Sequence, residues 1–324
     1  MLKSGLWQKM LLAAFGIFVS LIILEVIARV FIDISPNFYE FDPILGYKLI
    51  PNAVGKSYGQ TIKINSQGLR DTEHDYRRKY PLLRIAILGD SFTMGVGIED
   101  IQDIYPKIIE KELPGVEVIN LGVGGYNTDQ EINFFKTEGI KYHPDLVILM
   151  FFINDNQAML ADIPGMQKLE KYHILQIREL LRKNIYMLKY AKELTSLAIQ
   201  TYFKPEAPEK IPSVLAYKEC LGQITNFSPY LKAKNSKLIV FLLPEIENFK
   251  NYRYTQVHDY IRTNLAKNGI ICYDLLPDFK ALELDSEDLW VSRQNHHLNK
   301  LGQRYLAQFV LRRLKPVKFV ILSD

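Results

Sequence analysis

Five short apolar runs between Leu82 and Leu275, "LLRIAILG", "VEVINLG", "PDLVILMFFIND", "KLIVFLLP" and "GIICYDL", constrain this chain more than any other feature. A strand with one wet face alternates apolar and polar residues, whereas a strand covered on both faces reads as a nearly unbroken apolar run. Parallel strands need long crossovers, and helically spaced segments supply them: "YPKIIEKEL", "TDQEINFFKTEGI" and "YTQVHDYIRTNLAKN". The second of these is expected to be capped by Thr128 or Asp129 and to end at Gly139. "LNKLGQRYLAQFVLRRL" adds a last amphipathic helix. The pattern predicts an α/β fold, a doubly wound and mostly parallel sheet flanked by helices.

The segment ahead of this alternation obeys a different solvent. Met10 to Leu24 is uncharged, and the apolar stretch continues to Ile32 through Glu25 and Arg29. As a helix, residues 10–32 would be roughly 35 Å long at about 1.5 Å per residue, enough to cross a bilayer. Glu25 and Arg29 are spaced to pair on one helical face. Lys3 and Lys9 precede the run, and Asp33, Glu40 and Asp42 follow it. The positive-inside bias therefore predicts a single-pass membrane protein with residues 1–9 in the cytoplasm and the remainder extracytoplasmic. A cleaved signal peptide would need a cleavage site at Val26-Ile27-Ala28, directly after the charge of Glu25, and an uncleaved anchor is the expectation.

Residues 33–80 read as an aromatic- and turn-rich lead-in with short strands, and residues 81–324 as the main domain. A helical, basic segment at about 157–212 interrupts the alternation and is expected to be an insertion on the sheet. The formal net charge of +4 in 324 residues comes with no long Lys/Arg block, so no nucleic-acid partner is expected. The cysteines, Cys220 and Cys272, have no histidine at ligand spacing and are expected to be buried thiols, with no metal site.

Open α/β sheets bind ligands outside the carboxyl ends of their strands. Here the first run ends in Gly89-Asp90-Ser91, the second in "NLGVGGYNTDQ" and the third in Asn154-Asp155, and "WVSRQNHHLNKLG" precedes the last helix. A serine, amides from a glycine turn, a side-chain amide and a histidine are the parts that acyl transfer through a serine requires. "GVGGYNTD" lacks the G-x-G-x-x-G spacing of a dinucleotide loop, and no organic cofactor is expected.

With these stretches in order, the chain resembles the SGNH (GDSL-type) hydrolase superfamily from about Leu82 to Leu314. More narrowly it resembles membrane-anchored bacterial SGNH-domain proteins, through Glu25…Arg29 and "INSQGLRD", Ile64 to Asp71. The resemblance implies a flavodoxin-like arrangement of the sheet. It implies Ser91 as nucleophile and His297 as general base. The oxyanion hole would be formed by the backbone N–H groups of Ser91 and Gly125 and the side-chain amide of Asn154, with Gly124 as a one-residue alternative to Gly125. Asp90 is expected to hold the turn.

One position departs from the pattern. Relatives carry an aspartate two or three residues before the histidine, and here Asn295 and Gln294 stand there. Asn295 can accept the Nδ1–H hydrogen bond through its carbonyl oxygen, but it cannot stabilise an imidazolium by charge. A slowed triad of Ser91, His297 and Asn295, a dyad oriented by a backbone carbonyl, and a site without activity remain open. Asp285 and Asp288 are further candidates for the orienting group. Among the other histidines, His296 is expected to point away from His297, and His74, His143, His173 and His258 to lie at the surface. The resemblance implies a serine esterase acting on acyl groups of cell-surface glycans or another ester substrate. The alternatives are an O-acyltransferase supplied by a multi-span acyl-donor partner and a glycan-binding scaffold.

Overall fold

The structure, a computed structural model, describes residues 4–31, 38–78, 83–153, 213–293 and 295–321. Asn154 and the segment expected to form an insertion, 157–212, lie outside the described residues.

The first helix is α1 (Ser4–Phe31). Trp7–Ile27 has a mean hydropathy of 2.7, long and apolar enough to cross a membrane. Leu11, Phe15 and Phe18 are exposed on it, as a helix bathed by hydrocarbon would leave them. The Arg29 side chain of the expected pair lies outside the described side chains.

Two hairpins follow: β1 (Tyr39–Asp42) with β2 (Gly46–Leu49), and β3 (Val54–Ser57) with β4 (Gln60–Lys63). Their inner residues Leu45, Leu49 and Ile62 join the main hydrophobic core.

The main sheet has five parallel strands: β5 (Leu83–Gly89), β6 (Val116–Gly122), β7 (Leu146–Phe152), β8 (Lys237–Leu243) and β9 (Ile271–Asp274). Their order is β6-β5-β7-β8-β9, the doubly wound arrangement whose switch point lies where β5 and β7 diverge. Every residue of β5 and of β7 is buried, which explains the unbroken apolar runs. Truncating one of these isoleucines or leucines to alanine costs about 2–5 kcal/mol.

The crossovers are the short helix α2 (Ser91–Met94), α3 (Tyr105–Glu112), α4 (Thr128–Thr137), α5 (Lys218–Lys232) and α6 (Thr255–Lys267). After β9 come α7 (Leu276–Lys280), a hairpin of β10 (Trp290–Ser292) and β11 (Asn295–Leu298), and α8 (Lys300–Ile321). Two boundary expectations shift. The cap of α4 is Asn127, not Thr128 or Asp129: Asn127 Oδ1 accepts the Gln130 N–H while Gln130 Oε1 accepts the Asn127 N–H, a reciprocal capping box. The helix ends at Thr137, and Gly139 opens a further turn, where close packing requires glycine: a Cβ there would meet Leu121 Cδ1 at 2.6 Å. Cys220 is buried and Cys272, in β9, is half-buried; neither is in a disulfide among the described residues.

Candidate active site

At the carboxyl end of β5 the chain turns directly into α2. A Cβ on Gly89 would lie 2.0 Å from Thr93 Oγ1, so only glycine lets α2 fold back onto the strand. Asp90 caps the helix, Oδ1 accepting the Phe92 N–H at 2.9 Å, as expected of a residue holding this turn. Phe92, Thr93 and Met94 face the core, and Ser91 is the half-buried residue left looking out. The serine thus sits at the helix N-terminus, where unpaired backbone N–H groups favour developing negative charge.

The histidine arrives from the opposite end of the chain. In β11 successive side chains alternate, so Asn295 and His297 share one side. His296 is turned away, stacked on Trp290 at 4.0 Å with Nδ1 3.0 Å from Glu247 Oε1. Asn299 locks the hairpin to α8: its Nδ2 donates to the carbonyls of Asp288 and Trp290, and its Oδ1 accepts from the Gly302 N–H.

These elements bring Ser91, His297 and Asn295 into one line. Ser91 Oγ is 2.7 Å from His297 Nε2, and His297 Nδ1 is 2.5 Å from Asn295 Oδ1. The same Oδ1 accepts the backbone N–H of His297 at 3.1 Å. A backbone N–H only donates, so the atom facing Nδ1 is the amide oxygen and not the nitrogen. Nδ1 therefore carries the proton, and Nε2 presents its lone pair to the serine hydroxyl. This is the tautomer a general base needs. Asn295 is 3% exposed, and its Nδ2 has no hydrogen-bond partner among the described residues. Burial pushes the His297 imidazolium down to about pKa 4, with a further push from neighbouring His296 and no carboxylate to offset them. The imidazole is thus neutral, and able to take a proton, across the whole physiological range. Asp285 pairs with Lys250 instead, and Asp288 is exposed.

The glycine turn after β6 lies against the same serine. A Cβ on Gly124 would come within 3.8 Å of Ser91 Cβ. The Gly124 N–H points at Met94 Sδ, 3.3 Å away, and its carbonyl accepts the Tyr47 hydroxyl at 2.8 Å. Gly125, at φ +79°, keeps its N–H uncommitted among the described residues, which favours it over Gly124 as a donor to a bound oxyanion. Tyr126 returns the tie by donating to the Tyr47 carbonyl at 2.6 Å, so the β1–β2 hairpin grips the turn. The third expected donor, Asn154, lies outside the described residues.

"INSQGLRD" has a physical task here that its composition does not advertise. Arg70 is fully buried, and its guanidinium donates to the carbonyls of Met94, Gly95, Ile98 and Glu99, the loop that leaves α2. Asp71 accepts the Asn120 N–H of β6 at 2.8 Å and pairs with His74 and with Lys107. One dipeptide thereby ties the loop that follows α2 to strand β6. His74 is buried rather than at the surface, between Asp71 at 2.8 Å and Glu117 at 2.9 Å, and these carboxylates hold it charged with its pKa raised to about 9 against the effect of burial. His258 is likewise buried, between Asp274 and the Tyr252 hydroxyl. Both looked like surface residues because nothing in the local sequence shows the burial that comes with Glu117, 43 residues beyond His74, and with Asp274, 16 residues beyond His258. His143 is exposed, and His173 lies outside the described residues.

Residues 87–305 match the GDSL-like lipase/acylhydrolase family. Among solved structures, the chain is similar to an acetyl xylan esterase, AlAXEase, at 16% identity and a TM-score of 0.45, over 71% of this chain and 99% of that one. It is similar to a lipase/acylhydrolase from Enterococcus faecalis at 15% and 0.45, over 72% and 96%. A member of the lipolytic G-D-S-L family from Veillonella parvula gives 14% and 0.45, over 71% and 97%. At these identities the likeness reaches neither substrate nor mechanism. No curated protein matches the chain in sequence at a significant level.

Proposed function

The chain belongs to the GDSL-like lipase/acylhydrolase family, an assignment that supports ester hydrolysis, and from that premise we propose a serine esterase that removes acyl groups from cell-surface glycans. The observation that carries the reading is the contact of Ser91 Oγ with His297 Nε2 at 2.7 Å, with Asn295 Oδ1 behind the imidazole at 2.5 Å.

In this reading Ser91 Oγ attacks the ester carbonyl as His297 Nε2 takes its proton. The N–H groups of Ser91 and Gly125 hold the oxyanion, and Asn154 is assigned the third donor position by family resemblance. His297 then gives its proton to the departing alcohol, leaving an acyl group on Ser91. Water, deprotonated by the same imidazole, releases the acid. A glycan hydroxyl in place of that water would make the same site an acyltransferase, with a multi-span acyl-donor partner to load it. Helix α1 is read as the anchor, with its N-terminus in the cytoplasm and the site on the extracytoplasmic side, where such glycans are found.

The test is acetate release from an acetylated polysaccharide by the purified full-length chain in detergent. Release by the wild type that disappears in Ser91→Ala is expected. Release that persists in the variant contradicts the assignment.

A further inference from the structure

Two aromatic rings stand against the His297 imidazole. Phe92, centroid 5.1 Å away, is buried and belongs to the core beneath α2. Tyr58, 6.0 Å away and tilted by 51°, is 62% exposed. Tyr58 occupies the tip of the β3–β4 hairpin, where Ser57 pairs with Gln60 around the two-residue turn Tyr58-Gly59.

Both turn residues have positive φ, +49° at Tyr58 and +79° at Gly59. That turn prefers asparagine, aspartate or glycine at its first position, and a bulky aromatic there is strained. The ring gains little burial to offset the strain. The hairpin beneath it is firmly seated: Ile62 is fully buried, and the Ile64 N–H donates to the Ala53 carbonyl at 2.9 Å. A rigid hairpin therefore holds an exposed, conformationally disfavoured ring beside the imidazole. Strain retained at such a place points to a task outside folding.

His297 protonates the departing alcohol, so the alcohol part of the ester must lie beside that imidazole. We propose that Tyr58 is a binding subsite for the alcohol moiety, a platform on which a sugar ring of the substrate stacks. This rests on the reading of Ser91 and His297 as the ester-cleaving pair. A sugar ring is apolar on its faces and polar around its rim. It matches a flat phenol whose turn neighbours are Ser57 and Gln60, whereas a fatty alcohol would leave those polar groups unmatched.

The experiment compares kcat/KM for an acetylated hexopyranose with kcat/KM for ethyl acetate, using the full-length chain in detergent. The proteins are the wild type, Tyr58→Phe and Tyr58→Asn; the last carries the residue this turn favours, and thermal melting reports its folding. Stacking acts alike on ground and transition states, so its loss appears mainly in KM. Tyr58→Asn is expected to lower the sugar-to-ethyl ratio by about tenfold, within the range typical of one apolar pocket contact, and Tyr58→Phe to keep it within about twofold. A ratio unchanged in a folded Tyr58→Asn, or lowered equally in Tyr58→Phe, overturns the subsite. Fluorophosphonate labelling of the same samples separates the two claims. Labelled Ser91 with an unchanged ratio refutes Tyr58 alone, whereas no labelling and no acetate from either ester refutes the nucleophile and the subsite with it.

Discussion

Replacing Asn295 with aspartate should raise ester turnover about tenfold near neutral pH while moving the acid limb of the rate profile upward. In the wild type, Asn295 Oδ1 already fixes the Nδ1–H tautomer, because the His297 backbone N–H donates to the same atom. In Ser-His-Asp proteases an aspartate-to-asparagine change costs about four decades, through the wrong tautomer. Here only the charge is missing. A hydrogen bond to a charged partner contributes about 1.5–3 kcal/mol and a neutral one about 0.5–1.5 kcal/mol. The difference, ~1.4 kcal/mol when the imidazolium forms, is about tenfold in rate. Aspartate also removes the Nδ2 donor that lacks a partner among the described residues. The carboxylate has a second effect. His297 is held near pKa 4 by burial, and an adjacent negative charge should lift it to roughly 5–7. The free-enzyme acid limb, read from kcat/KM against pH, should move up by the same amount. The variant therefore wins at about pH 8 and loses its advantage at about pH 5. Asn295→Ala, which loses the acceptor altogether, should fall well below the wild type. If Asn295→Asp changes neither kcat nor the acid limb, Asn295 does not face His297 and the relay is wrong.

Other perturbations probe the scaffold. Arg70→Leu strips the donor from the Met94, Gly95 and Ile98 carbonyls. At about 1–3 kcal/mol for each buried group left unpaired, it should lower the urea midpoint steeply, and an unshifted midpoint would show that these bonds do not hold the loop. Glu131 is fully buried with neither oxygen partnered among the described residues, and burial, with Asp90 nearby, raises its pKa well above that of an exposed glutamate. Its folded pKa exceeds its unfolded one, so its contribution is complete below about pH 4.5 and is lost as pH rises toward the folded value. Urea titrations should show Glu131→Gln gaining on the wild type as pH increases, and a gap constant with pH refutes that. For topology, a reporter that works only outside the cytoplasm should be active when fused after Asp324, and activity of a cytoplasm-only reporter there contradicts the orientation.

The sheet could be read from sequence because burial on both faces writes itself as continuous apolar runs; β5 and β7 are the clearest cases. Ser91, His297, Asn295 and the glycine turn were legible because each stands where an apolar run stops or a last helix begins. What eluded local reading depends on distant partners. His74 meets Glu117, 43 residues away, across a strand it does not belong to. Arg70 finds its carbonyl acceptors 24 to 29 residues further on. "DTEHDYRRKYP" looks solvated because the partners that enclose it, Lys107, Glu117 and Asp145, lie much further along the chain. Tyr58 was hidden for the same reason: a hairpin tip declares its turn, not the imidazole 239 residues later that it approaches. The missing acid was legible, but its consequence was not, because the tautomer hangs on a backbone N–H that only coordinates reveal.

The central claim is that Ser91 is an activated nucleophile, and its most direct test is covalent. The purified full-length chain, in detergent, is treated with a fluorophosphonate and mapped by peptide mass spectrometry. The account predicts one adduct per chain, on the peptide containing Ser91, absent in Ser91→Ala and formed far more slowly in His297→Ala. An adduct elsewhere, or no adduct in the folded wild type, contradicts it.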